Sequence, residues 1–168
     1  MDHSMMDSAA LLQYLDQLSI PYQRHDHVAV YTSEQLRQVE SPLTGVSTKN
    51  LFLRDKKGTR HFLLVLDDSK TLSIKALADR LGTTTLSLGS PERLMARLGA
   101  EPGSVSLMGL VNDPEHKVEL LMDRDVWQAE ALQCHPLINT ATISISLADV
   151  KKFLEATGHK VRLVDIER

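Results

Sequence analysis

Two apolar runs joined by a tight turn constrain this 168-residue chain more than any other feature. Residues 50–54 and 61–66 are rich in Leu, Phe and Val, and Asp55-Lys56-Lys57-Gly58 lies between them, with Gly58 free to take positive φ. Such a hairpin places an antiparallel pair in the middle of the fold. It excludes a purely parallel doubly wound sheet, whose strands are joined by crossovers.

Helices and strands are interspersed around this hairpin. Ala9, Leu11, Leu12, Leu15 and Leu18 recur at helical spacing, so residues 8–18 read as an amphipathic helix ended by Pro21. Residues 22–27 read as a strand. Thr32, with Gln35 three residues on, marks the start of a short helix, and residues 41–45 a loop. Ser73 caps a helix through Leu81 that Gly82 stops, with Ile74, Leu77, Ala78 and Leu81 on its buried side. A strand follows at 84–88. Ser90-Pro91-Glu92 combines a cap, a first-position proline and a first-turn acid, and Gly99 closes that helix. Glu101-Pro102-Gly103 turns the chain into residues 104–111, apolar enough for a buried strand, and Asn112-Asp113-Pro114-Glu115 turns it back into residues 117–122 as a second hairpin. Residues 140–145 form a strand, Ser146 caps a helix through Ala156 closed by Gly158, and 161–166 is a last strand.

The expected fold is a mixed α/β (α+β) sheet, curled and flanked by helices. The length suits one domain, 1–168, with 1–20 as an N-terminal helix. It can bury a core without disulfides or a structural metal. Cys134 is the one cysteine, which excludes an internal disulfide and a cysteine-rich zinc site. No apolar run approaches the ~18–20 residues of a membrane span, and residues 1–10 lack the regions of a signal peptide. A cytoplasmic location follows as the default. The net charge of −3 argues against binding nucleic acid by charge alone, so any such contacts should be few, local and salt-sensitive. Lys49, Arg54, Lys56, Lys57 and Arg60 form a small basic cluster around the hairpin, and Lys56 and Lys57 alone read as a solvated turn.

Several residues could carry chemistry. Lys49 opens a strand after a Thr/Ser/Gly-rich loop, where a lysine can attract a phosphate, polarise a carbonyl or simply be solvated. Gly103-Ser104-Val105-Ser106 can present backbone N–H groups to an anion or be an ordinary turn. His135 precedes Pro136, which biases it toward extended backbone, and it can be structural or titrate near neutral pH. Cys134-His135 is a poor nucleophilic pair, because adjacent strand residues point to opposite faces. His25-x-His27 could add two zinc ligands, but no fourth has motif spacing. Asp67-Asp68 and Asp123-x-Asp125 mark turns beside strands. There is no phosphate-binding glycine loop and no dinucleotide fingerprint.

Three segments together make a rarer pattern: Thr48-Lys49-Asn50-Leu51-Phe52-Leu53-Arg54, Gly103 through Asp113, and Cys134-His135-Pro136-Leu137-Ile138-Asn139-Thr140. They resemble the free-standing aminoacyl-tRNA deacylases related to the editing insertion domain of bacterial prolyl-tRNA synthetase. The branch most similar removes alanine from mischarged proline tRNA, and the resemblance runs from about Tyr22 to the C-terminus. It implies a curled, mixed, largely antiparallel sheet. It implies Lys49 as the essential lysine, with Asn50 after it. Gly103 would open a Gly-x-x-x-Pro motif in which the backbone of Gly103, Ser104, Val105, Ser106 and Leu107 cradles the aminoacyl end. Leu107 stands in place of that proline, and adds an N–H that proline lacks. Met108 stands where the alanine-specific branch has Phe. His135, Asn139 and Thr140 would line the pocket in a binding role. The implied partners are the aminoacylated acceptor end of tRNA and prolyl-tRNA synthetase, with no membrane, DNA, metal or cofactor. The expected activity is hydrolysis of Ala-tRNA(Pro) by water attack on the ester. Alternatives are another small amino acid (Ser, Thr, Cys or 2-aminobutyrate), a non-catalytic sensing module, or a domain that only associates with a synthetase.

Overall fold

The computed structural model of the protein describes residues 5–29 and 43–167. The helix expected from Thr32, and the first residues of the 41–45 loop, lie outside them. The elements run α1 (Ser8–Gln17), β1 (Gln23–Asp26), β2 (Val46–Asp55), β3 (His61–Asp67), α2 (Ile74–Leu81), β4 (Leu86–Leu88) and α3 (Pro91–Leu98). Two 3-10 turns follow, Pro102–Ser104 and Leu107–Asn112, and then β5 (Val118–Asp123), α4 (Arg124–Trp127), β6 (Ala131–Cys134), β7 (Ala141–Ser146), α5 (Leu147–Thr157) and β8 (Val161–Val164).

The strands form one sheet in the order β1-β7-β6-β2-β3-β5-β8, with β4 also against β2. Pairings β1–β7, β6–β7, β2–β3 and β2–β4 are antiparallel; β2–β6, β3–β5 and β5–β8 are parallel. The ten-residue β2 makes the sheet curl. One edge pairs with β3 along Thr48–Arg54. Its other edge pairs with β6 through Val46 and Ser47, then with β4 from Leu53 to Asp55. Between Ser47 and Leu53 that edge is left by one strand and not yet met by the next, and the segment after α3 enters there.

Both faces of the central strands are buried, which is why β3 reads as a continuous apolar run. Phe62, Leu64 and Leu66 pack under α2 with Leu53, Leu77, Leu81 and Leu121. Leu63 and Val65 join the larger core with α1, α3 and α5 through Leu11, Leu15, Leu94, Leu98, Val150 and Phe153.

The expected caps are present. Ser73, Ser90 and Ser146 accept from the N–H groups of Ala76, Arg93 and Asp149, and Gly82, Gly99 and Gly158 close their helices in the left-handed region. Three expectations are corrected. Helix α1 ends before Pro21: Leu18 N–H donates to Tyr14 O, and Ser19 turns the chain at φ 59°. Residues 104–111 are not a strand but two 3-10 turns, since an apolar run buried on every side carries no period that separates strand from helix. No second hairpin forms, because β5 pairs in parallel with β3 and β8. The Asp113 carboxylate accepts the Lys117 and Val118 N–H groups at 2.9 Å and binds His159 Nε2, so it anchors the start of β5 beside α5.

Candidate functional site

The gap along β2 is closed by side chains. Thr48 Oγ1 donates to the Gln133 carbonyl at 2.5 Å, and Asn50 Nδ2 donates to Thr48 Oγ1 at 3.2 Å. Leu107 N–H donates to Asn50 Oδ1 at 2.8 Å. Asn50 thereby locks the 3-10 segment to the sheet. The Leu107 N–H expected to be spare for a substrate is engaged by Asn50 instead. Met108 N–H donates to Ser106 Oγ, and Gly109 N–H to Ser106 O. Leu107 and Met108 are wholly buried in the larger core, so their side chains belong to packing. Ser104 and Ser106 are buried too, whereas Gly103 and Val105 are half-exposed, which leaves these two as the accessible part of the loop.

Burial pushes the Cys134 thiol up to about 12, against a hydrogen bond from Ser106 that lowers it. A thiol held protonated on the core side of β6 is no nucleophile.

The opposite side of this half of the sheet is polar. In β6, Leu132 and Cys134 face the core, so Gln133 and then His135 face away. Ser47 pairs with Gln133, and two residues further on Lys49 and His135 share that outer face. Thr142 and Ser144 of β7 lie on it too, since Ile143 and Ile145 fill the core. The register thus gathers Lys49 and His135, 86 positions apart in the chain, onto one surface.

Lys49 is half-buried and its ammonium makes no hydrogen bond or ion pair among the described residues. Lys70 is the contrast. It is 2% exposed, and its ammonium binds Asp123 Oδ1 at 2.9 Å and Asp125 Oδ2 at 2.7 Å. Asp123-x-Asp125 is therefore one half of a structural ion pair, while Asp67 accepts the Ser69 N–H in the turn after β3 and the Asp68 carboxylate accepts from Ser47 Oγ of β2 at 2.8 Å. Of the expected basic cluster, Arg54 and Arg60 stand at the turn end of β2, roughly 16 Å of strand from Lys49, and Arg60 is paired with Glu119.

His135 Nδ1 lies 2.9 Å from the Ala141 carbonyl, which can only accept, so Nδ1 carries the proton and Nε2 presents a lone pair. Burial lowers the His135 pKa; the Ala141 bond opposes this, and a charge on His27 lowers it further. The ring is neutral at physiological pH. Thr140 is exposed and its carbonyl accepts the His27 N–H at 2.9 Å, with half-buried Asn139 beside it. His27 is the neighbour missed in sequence: its ring centroid is 6.2 Å from that of His135. The His25-x-His27 spacing is the available signal, but in sequence it reads only as two zinc ligands without the rest of a site. Among the described residues no three His, Cys, Asp or Glu side chains are grouped to hold a metal ion.

The model of the aminoacyl-tRNA editing domain family matches residues 27–153, a span that holds Lys49, Gly103 and His135. The chain belongs to that family. It is 34% identical over 157 residues to the prolyl-tRNA editing protein ProX of Acetoanaerobium sticklandii, covering 94% of this chain and 96% of that one. It is 36% identical over 151 residues to the prolyl-tRNA synthetase associated domain-containing protein 1 of Danio rerio, covering 89% and 82%. Among solved structures, one assigned provisionally as a trans-editing enzyme for prolyl tRNA synthetase superposes with a TM-score of 0.69 over 98% of this chain and 99% of that one. At 19% identity that likeness shows the shared fold. No helix among the described residues is long and apolar enough to cross a membrane.

Proposed function

We propose that this editing domain hydrolyses the ester of a mischarged tRNA, with alanine on proline tRNA as its substrate and the aminoacylated acceptor end as what it binds. The observation that carries this is a half-buried Lys49, with no ion pair among the described residues, on the same sheet face as a neutral His135, in a chain of the editing-domain family. The name of the bacterial relative, a prolyl-tRNA editing protein, supports the choice of tRNA. The task has a physical origin. A synthetase pocket built for proline discriminates a smaller side chain by only ~1–3 kcal/mol, so a second, smaller site must remove the error.

Lys49 supplies the positive charge that holds the acceptor end and polarises the ester carbonyl. The accessible N–H groups of Gly103 and Val105 stabilise the oxyanion as water adds to the carbonyl carbon. Collapse of that intermediate breaks the ester C–O bond, and the ribose oxygen leaves with a proton. His135 Nε2 accepts a hydrogen bond from the substrate's ammonium or free ribose hydroxyl, a binding role that needs the neutral ring. Asn50 acts at one remove by fixing the segment that follows the donors. Buried Leu107 and Met108 form the packed floor beneath that loop.

The test is single-turnover deacylation of proline tRNA charged with Ala, Ser, Cys or Pro, using wild type and Lys49→Ala. Alanine should be released and proline spared, with a loss of ~10²–10³-fold in the folded variant, the scale of one removed electrostatic stabiliser. Full activity in folded Lys49→Ala would sink its role. Binding of charged tRNA without release of any amino acid would replace hydrolysis by sensing.

A further inference from the structure

The outer face of the sheet does not end at His135. On β1, His25 pairs with Thr142 and Gln23 with Ser144, so His25 lies on the same face as Lys49, Gln133 and His135. His27 follows two residues on. The ring centroids of His25 and His27 are 5.8 Å apart, and those of His27 and His135 are 6.2 Å apart. Three imidazoles thus form a row leading outward from the candidate site. We propose that His25 and His27 are a stacking track for the unpaired nucleotides of an RNA 3′ end whose last residue sits at His135. This inference rests on the deacylase reading above and adds the surface that takes the RNA.

Four observations support it. His27 is fixed before any ligand arrives: its N–H donates to Thr140 O at 2.9 Å, Nδ1 donates to Val28 O at 2.7 Å, and Nε2 lies 2.8 Å from Thr142 Oγ1. A ring already ordered loses little freedom on binding. The His25 ring is half-buried and makes no hydrogen bond among the described residues, so its own structure does not explain it. The cation on the same strand, Arg24, pairs with Ile143 rather than Thr142 and binds Asp26 at 2.9 Å, so it does not serve this face. The chain as a whole is acidic, at −3, which makes charge a poor means of holding RNA. Aromatic faces stack on any base, which suits an end common to many RNAs.

The experiment compares deacylation of a full aminoacylated tRNA with that of aminoacyl-adenosine, which has no nucleotides to reach the track. His25→Ala should lower the ratio of kcat/KM on tRNA to that on aminoacyl-adenosine about tenfold, the scale of one stacked base. His25→Phe, which keeps a stacking face and loses the ring nitrogens, should restore most of it. His27→Ala should act in the same direction, and raising salt should weaken binding only slightly. An unchanged ratio in His25→Ala overturns the track, as does an equal loss on both substrates. Should wild type cleave neither substrate, the deacylase reading fails and the track is judged by binding alone. Labelled CpCpA trinucleotide must then bind wild type about tenfold more tightly than His25→Ala; equal binding overturns it.

Discussion

Leu107→Pro tests how the editing-domain site is held together. Proline removes the N–H that reaches Asn50 Oδ1 at 2.8 Å. The backbone accommodates the ring: Ser106 before it is extended at φ −155° and ψ 149°, and position 107 is the first of its 3-10 turn. The cost is therefore chemical rather than steric. Leaving the Asn50 acceptor unsatisfied costs about 1–3 kcal/mol, and trimming a fully buried Leu adds roughly 1 kcal/mol of lost burial. The sum is ~2–4 kcal/mol. Asn50→Ala alone orphans the Leu107 N–H from the other side. In the double variant neither group is left waiting, so the two changes should not add. Urea unfolding of wild type, both single variants and the double variant closes the cycle, with an expected coupling of ~1–2 kcal/mol. Additive effects would refute Asn50 as the lock on this segment.

Two further tests reach the site and its support. His135 must be neutral to accept through Nε2, so activity should fall only as pH drops through its depressed pKa, below 6.5. His27→Gln removes the nearby positive charge that lowers that pKa, and the acidic limb of the pH–rate profile should move up; a limb that stays in place would refute the coupling. Lys70→Ala leaves fully buried Asp123 without its cation, and should cost about 3–5 kcal/mol in urea unfolding. The paired change Lys70→Met with Asp123→Asn should recover much of it, and no recovery would show that the loss lies in packing.

The sequence made the local structure readable because local structure is a contest among near neighbours. Ser73, Ser90 and Ser146 cap because their hydroxyls reach N–H groups three residues on, and Gly58 and Gly82 turn because they lack a Cβ. The segment 104–111 was misread because its partners are all distant: apolar on every side, it takes its shape from Asn50, Ser106 and the packing around Leu98. Short β6 gave little signal because its four residues carry too few repeats of the Leu132/Gln133/Cys134 alternation, and its pairing with β2 spans only two residues. The two lysines show the same limit at the site. Lys49 and Lys70 each adjoin an apolar strand, and nothing local separates them. Lys70 finds two carboxylates more than fifty residues away, whereas the Lys49 ammonium makes no ion pair among the described residues. The resemblance marked Lys49 for function without giving a cause. On the proposed reading, a half-buried ammonium with no ion pair among the described residues is placed to take an anionic or carbonyl ligand.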